Sequence, residues 1–324
     1  MKSVKSILKV YQGPNIKTIK KLKFLHVRNR NVYNITAPFK YEGKTYLLGR
    51  IENPKDETSI IHFFRKDGNY YRPNDSFQTF ELEDPAIVKI RDCYVLSGVE
   101  VKPTKGGLLR WRTVFYRGTD LKKLRKFATG PWGMKDIRLI ELPNDNIGVF
   151  TRPQGKKGRR GKIGFVEVKS LNEIKPRKLS QAKIIPHLFA RGEWGGANDL
   201  LILRSGKVGV LGHIARFSKD KNKFYYPMVF AFDPENRKTS NIRLIGRRAE
   251  LPEGDAKQPD LYNVVFPGGI IRHKGDIASV YVGVADAESY EITIDDPFKY
   301  YEEHDKQIFG EKKVEVVSEE GKSS

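Results

Sequence analysis

In this 324-residue chain the residues best suited to do chemistry are Glu83-Asp84-Pro85, set directly before the apolar run Ala86-Ile87-Val88-Lys89-Ile90. A carboxylate at the mouth of a buried strand is costly. Desolvation raises its pKa unless a cation or a hydrogen-bond donor answers it. A carboxyl placed this way can hold a proton and deliver it to a departing oxygen, which is general acid chemistry. Asp84 is the catalytic candidate. The plainer alternative is a carboxylate that ties a turn through backbone N–H groups, and it applies to Glu83 as well.

The same design recurs. A polar residue precedes an apolar strand-like run at Asn34, Asp84, Asp136, Asp199 and Asn263, at intervals of roughly 50 to 64 residues. Cations collect at the same strand starts and ends: Arg50, Lys135, Arg138, Arg152, His213 and Arg216, with Arg110 and Arg112 flanking Trp111. An inverting hydrolase needs a second carboxylate to activate water. Phosphate is already an anion and a nucleophile, and it needs cations, for which Arg forks have the matching geometry. One acid among many cations therefore favours phosphate handling over hydrolysis. Taken singly, each of these residues has a blander reading. A lone His at a strand end is as often structural, and Asp136, Asp199 and Asp286 could equally tie corners together. Trp132, Trp194 and Tyr262 could stack on sugars or simply pack in a core.

The elements that hold these residues are strands. Apolar residues alternate or come in short blocks, divided by turn signals such as Glu42-Gly43, Arg91-Asp92, Asn144-Asp145, Ser205-Gly206 and Lys274-Gly275. The chain reads as all-β, one catalytic domain over residues 1–324. Five hairpin repeats of this length match four-stranded propeller blades, beginning near 34, 84, 136, 199 and 263. One blade cannot bury both faces, whereas a ring of blades can. Inner strands start at the central channel, so their first residues converge on one mouth. The alternative is a pair of β-sandwiches. Segments such as Thr113–Arg117 and Lys162–Val168 supply outer strands, and the residues before 30 are expected to lend a closing strand. The tail, 297–324, reads as a short helix that then frays.

Bulk properties narrow the class. Lys and Arg outnumber Asp and Glu 60 to 39, a net charge of +21. That excess attracts polyphosphates or suits a pocket for small anions. The densest basic run, Gly155–Lys162, reads as a solvated hairpin loop, and no RNA- or DNA-binding signature accompanies it. Nucleic acid is therefore disfavoured as a partner, although a non-catalytic propeller that binds glycans or nucleic acid is the rival from another class. The single Cys93 reads as a small core hydrophobe, and no Cys/His cluster has metal spacing. No apolar run is long enough for a membrane helix, and the basic N-terminus lacks the apolar stretch of a signal peptide. The expectation is a cytoplasmic protein with no membrane partner; homo-oligomers are compatible with the sequence.

Several segments together resemble a known group. They are Val32–Phe39, Glu83-Asp84-Pro85, Trp132–Leu139, Gly196–Leu200, Leu211–Ala215, Asn263–Gly269 and Gly283–Glu288, covering roughly residues 30 to 295. The pattern is similar to the five-bladed propellers of the β-mannoside phosphorylases, glycoside hydrolase family 130. It is closer still to the DUF1861 group, the mannosyltransferase/phosphorylase family known as glycosyltransferase family 108. Ala86 follows Glu-Asp-Pro where the hydrolase-family relatives usually carry Arg, which favours the second group.

The resemblance implies reversible, inverting phosphorolysis of β-mannosides, with β-1,2-linked oligomannosides and phosphate as substrates and α-mannose 1-phosphate as product. Some relatives transfer mannose from GDP-mannose. It implies Asp84 as the acid, phosphate cations at Arg112, Lys135, Arg152 and His213, and no metal or organic cofactor. Asn34, Arg50, Glu83, Asp136, Asp199, Asn263 and Asp286 would contact sugar or brace the mouth. An inverting hydrolase of the same superfamily is the alternative within the fold.

Overall fold

The five largest apolar clusters among the described residues lie one between each pair of neighbouring sheets in a closed ring. Tyr46, Leu48 and Phe63 of the first sheet pack on Leu82, Leu96 and Val114 of the second. Phe115 and Val95 meet Leu139 and Val149, and Phe150 and Phe165 meet Val210, Phe230 and Phe232. Leu211, Val229 and Ala231 meet Val280, Val282 and Ile292. The ring closes where Tyr281 of the last sheet reaches Leu47 and Phe64 of the first. This is a five-bladed β-propeller, and the two-sandwich alternative fails because no sheet packs on only one partner. The computed structural model describes residues 3–28, 30–53 and 58–310.

Each blade is an antiparallel meander. In the second, Glu83–Ile90 lies innermost, followed outward by Cys93–Pro103, Leu109–Gly118 and Arg125–Thr129. The inner strand starts at the mouth, turns at the far face and returns, so the end of the second strand also reaches the mouth. Arg50, Arg152 and His213 stand on such return strands, Lys44–Glu52, Ile147–Thr151 (Arg152 just beyond its end) and Val208–Phe217.

The expected closing strand is Ile16–Lys21, which pairs with Glu288–Asp295 at the outer edge of the last blade, Ile19 opposite Ile292. The chain then crosses to the first blade, where Lys23–Phe24 runs parallel to Tyr70–Pro73. The N-terminal stretch also contributes a helix that strand periodicity did not signal, Val4–Lys9, capped by Ser3 and packed on the third and fourth blades. The tail forms two short helices, Lys299–Glu303 and Asp305–Phe309, whose Tyr301 and Phe309 enter a blade interface. The expected fraying falls on 311–324, outside the described residues. Among the described residues no helix is long and apolar enough to cross a membrane.

Two expectations are corrected. Gly155–Lys162 keeps its cations largely solvated but is not a hairpin. Gly155–Gly158 forms one helical turn, and the Gly161 carbonyl accepts from Gly195 N, which docks the basic segment against the mouth. Cys93 is half-buried at the start of its strand, beside the Arg91-Asp92 turn, rather than in the core.

Candidate functional site

Three of the corners share one backbone feature. Asn34, Asp84 and Asp136 have φ of 49°, 48° and 53°. This is the left-handed region, where a β-carbon is crowded and which Asn and Asp tolerate better than other non-glycine residues. The corner conformation therefore selects the same residue types that its chemistry would use. Two glycines make room for it. A β-carbon on Gly283 would stand 2.4 Å from Asn34 Oδ1, and one on Gly196 would stand 2.9 Å from Arg152 Cδ and 3.1 Å from His213 Cε1.

Asp84 is the centre of the mouth, 4 % exposed. Its Oδ1 accepts from Asn34 Nδ2 at 2.7 Å and from Arg50 Nη1 at 3.3 Å. Its Oδ2 faces Lys135 Nζ at 3.6 Å. Burial would raise this carboxyl, but Lys135, Arg50 and the Asn34 amide outweigh it and hold it below the usual range. Lys135 is the least committed of these cations, its side chain 30 % exposed. Burial alone would lower its ammonium, and Asp84 with Asp136 holds it up.

Arg50 is a hub. It also meets Glu83 Oε1 at 3.1 Å, bonds Glu52, donates to Ser59 Oγ at 2.8 Å and lies over the Tyr33 ring. Glu52 in turn holds Lys257 at 2.7 Å. Burial pushes the Glu83 carboxyl up, with Asp84 adding and Arg50 opposing. Asp286, φ 51°, is likewise pushed up by burial, against the pull of Arg50. Around Arg50 the carboxyls of Asp84 and Glu52 are thus kept low while those of Glu83 and Asp286 are driven upward.

A second buried group adjoins it. Arg152 Nη1 donates to Asp136 Oδ2 at 2.7 Å and Nε to the Gly195 carbonyl at 3.0 Å. Burial would raise Asp136, but Arg152 and then Lys135 drive it well below the carboxylate range. His213 is wholly buried, its ring between Tyr225 (5.3 Å, stacked) and Phe266 (5.0 Å). Its Nδ1 pairs with Asn198 Oδ1 at 2.8 Å. Burial and the Arg152 charge push the imidazole down to about 3, so it is neutral at any working pH. With the amide oxygen on Nδ1, that nitrogen carries the proton and Nε2 presents a lone pair. Asn34 Oδ1, Asp136 Oδ1 and His213 Nε2 are buried without a hydrogen-bond partner among the described residues, which leaves them open to water or a ligand.

The structure brings Asn34, Arg50, Glu83, Asp84, Lys135, Asp136, Arg152, His213 and Asp286 together. Arg112 goes elsewhere: it pairs with Glu100 at 2.7 Å and lies over the Trp132 ring, which Arg110 also covers. Trp132 is thus engaged by two cations at the rim. Asn263 enters through its main chain, its carbonyl accepting from Tyr225 N. Trp194 is buried, with its indole N–H on the Tyr225 hydroxyl, and Tyr262 lies under Arg248.

Asp199 is a structural tie. Its two oxygens accept from Leu200 N and, across the blade boundary, from Ile270 N. A bulge between Ala197 and Asp199 shifts the strand, so Asn198 holds His213 instead. Asn198, Glu52, Lys257 and Tyr225 were missed by reasoning from sequence. The signal for Asn198 was its place in Asn198-Asp199, two adjacent polar residues of which only one can face each side of a strand.

Burial pushes the Asp199 carboxyl up to about 6, partly offset by its two N–H bonds. Between about pH 4 and 6 the folded state binds a proton that the unfolded chain does not, so this group's contribution falls as pH rises. Asp199→Asn has no such proton to lose. Urea denaturation should show the wild type's stability relative to Asp199→Asn greatest near pH 4 and smaller by roughly 3 kcal/mol above pH 6.

Comparison with other proteins decides the family. A model described as "Protein of unknown function (DUF1861)" matches residues 10–300. The chain belongs to the DUF1861 family. Solved structures agree with that membership. A mannose phosphorylase from Leishmania mexicana, MPT-4, in complex with phosphate ion, is 33 % identical with TM-score 0.83, over 89 % of this chain and 91 % of that one. MPT-1, a GDP-Man-dependent mannosyltransferase from the same organism, is 28 % identical with TM-score 0.84, over 92 % and 95 %. A β-1,2-mannobiose phosphorylase from Listeria innocua shares the fold at TM-score 0.61 and 17 % identity, over 91 % and 95 %. No curated protein matches. This DUF1861 protein therefore shares its propeller with carbohydrate-active enzymes, mannoside phosphorylases and mannosyltransferases among them.

Proposed function

We propose that the protein is an inverting β-mannoside phosphorylase, acting on β-1,2-linked oligomannosides, with Asp84 as the acid and phosphate as the nucleophile. The observation that carries this reading is the asymmetry of Asp84. Oδ1 is fixed by Asn34 and Arg50, while among the described residues Oδ2 meets the loosely held Lys135 alone. An acid must carry a proton at the moment of reaction. In the free protein Lys135 opposes that. A phosphate that draws Lys135 toward itself removes the counter-charge from Oδ2, so nucleophile binding arms the acid.

In the proposed step a phosphate oxygen bonds to C1 of the mannosyl unit from the face opposite the leaving group. The C1–O bond breaks and Asp84 Oδ2 gives its proton to the departing oxygen, directly or through a sugar hydroxyl. Hydrogen phosphate dianion brings one proton and its ester carries none, so that proton resets Asp84. His213 Nε2 is suited to accept from the protonated phosphate oxygen. Arg152 and Lys135 supply cationic donors at the same place, and Asn34, Glu83, Asp136 and Asp286 present polar atoms to sugar hydroxyls. Arg112 would act only from the rim. The likeness to the mannose phosphorylase with phosphate, at 33 % identity, supports the reading.

The test incubates β-1,2-mannobiose with and without phosphate and identifies the sugar phosphate by ³¹P NMR. Phosphate-dependent formation of α-mannose 1-phosphate is expected. Release of free mannose at the same rate without phosphate would replace the phosphorylase with a hydrolase. GDP-mannose with a mannoside acceptor forms a third arm. Transfer from the nucleotide sugar, with no reaction of phosphate, would make the protein a mannosyltransferase.

A further inference from the structure

We propose that the axial cavity beneath the mouth is a second anion site, in which the Arg138 guanidinium holds a small oxyanion or carboxylate. The cavity measures about 210 Å³ and is lined by residues just past the corners on the inner strands, with part of a second strand. Thr36, Ala86, Ser97, Arg138, Asn198 and Asp199 are among them, whereas Asp84, Lys135, Arg152 and His213 are not. This inference goes beyond the phosphorylase reading and does not depend on it.

Arg138 is 7 % exposed. Its Nε donates to the Asn198 carbonyl at 2.8 Å and its Nη1 to the Ile137 carbonyl at 3.2 Å. Among the described residues no carboxylate lies within 4.0 Å of it, whereas Arg50, Lys135 and Arg152 each have one at 3.3, 3.6 and 2.7 Å. A buried guanidinium without a counter-ion is costly, and such cations are normally paired. Burial lowers its pKa despite the more distant carboxylates of Asp136, Asp84 and Asp199. Asp199 shares the wall, but both its oxygens are taken by main-chain N–H groups.

Residues with further donor groups line the same space. Asn198 Nδ2 is buried without a protein partner. Thr36 Oγ1 accepts from Leu48 N, which leaves its own proton to donate, and Ser97, 5 % exposed, also lines the cavity. A guanidinium, an amide and two hydroxyls around a space that would hold about seven waters suit a hydrated tetrahedral oxyanion or a short carboxylate. An anion there neutralises the buried guanidinium and braces Asn198, whose side chain holds His213.

Calorimetric titration and thermal denaturation of the full chain with phosphate, sulfate and acetate test this, at constant ionic strength with chloride as reference. The wild type should bind two equivalents of phosphate. Arg138→Gln should bind one, the remaining affinity at the axial site falling by about tenfold or more. Lys135→Gln should remove the other equivalent and keep the axial one. A mouth that binds no phosphate leaves a single equivalent that still disappears with Arg138, which separates failure of the phosphorylase reading from failure of this one. Sulfate should raise the Tm of the wild type and not of Arg138→Gln; a rise with acetate alone identifies the ligand as a carboxylate. Ala86→Leu, which fills the cavity and leaves Arg138 in place, should abolish the axial equivalent in a chain that keeps its charge. Unchanged stoichiometry and Tm response in both variants would overturn the proposal.

Discussion

Asp84→Asn should lower phosphate-dependent cleavage of a β-mannoside by about 10³-fold while the protein stays folded. The loss follows from removing the proton donor, an effect that spans 10²–10⁴-fold for general acids. The fold should survive because the amide still accepts from Asn34, and Arg50 keeps Glu52 and Glu83. The variant also has a pH signature. In the free protein burial tends to raise Asp84, but Lys135, Arg50 and Asn34 hold its folded pKa below the unfolded value. Its contribution to stability is therefore present above the ordinary carboxylate range and lost as pH falls through and below it. Asp84→Asn should be less sensitive to acid over that range in urea denaturation, with its turnover low at every pH. Retention of wild-type turnover would remove Asp84 from the mechanism.

Arg152→Met should cost about 3–5 kcal/mol of stability, the largest single loss expected from a mouth residue. Asp136 is 1 % exposed, with Oδ1 unpartnered and Oδ2 held by Arg152. Deleting the guanidinium leaves a buried carboxylate without its counter-charge. Asp136→Asn in the same chain removes that charge, and asparagine tolerates the φ of 53°. The double variant should recover much of the loss while remaining inactive. Urea midpoints at constant m-value measure this. Additive costs in the two single variants would show that the pair is not coupled and that Arg152 acts through packing alone.

The repeat of polar corners was legible because blade stacking imposes a period on the chain, and because a left-handed corner accepts few residue types. Asn34, Asp84 and Asp136 satisfy both demands, so pattern and chemistry pointed to the same positions. The fourth corner shows where this logic stops. Asp199 keeps the spacing, yet a single-residue bulge turns it onto the neighbouring blade's main chain and hands His213 to Asn198. A one-residue shift in a strand exchanges its two faces, and nothing in the local pattern announces it. The partners of Arg112 and Arg138 were not legible for a related reason. A cation's position along a strand locates its Cα, while its long side chain chooses among partners several ångströms away. Arg112 found Glu100 and Trp132, and Arg138 turned into the axial cavity.

Fold class, blade number, the closing role of the N-terminal strand and the central place of Asp84 all follow from the order of residues along the chain. Strand periodicity, turn chemistry and corner spacing are local properties, and they repeat often enough to be counted. The ionic state of the mouth is of a different kind. Glu83 and Asp286 driven up and His213 kept neutral depend first on burial inside the closed ring, and Asp84 is held low against that burial by charges brought from other blades. Arg50 reaches Asp84 across 34 positions and Lys135 reaches it across 51. Electrostatic energy depends on distance in space and on burial, and both are set only when the five blades have closed around one axis.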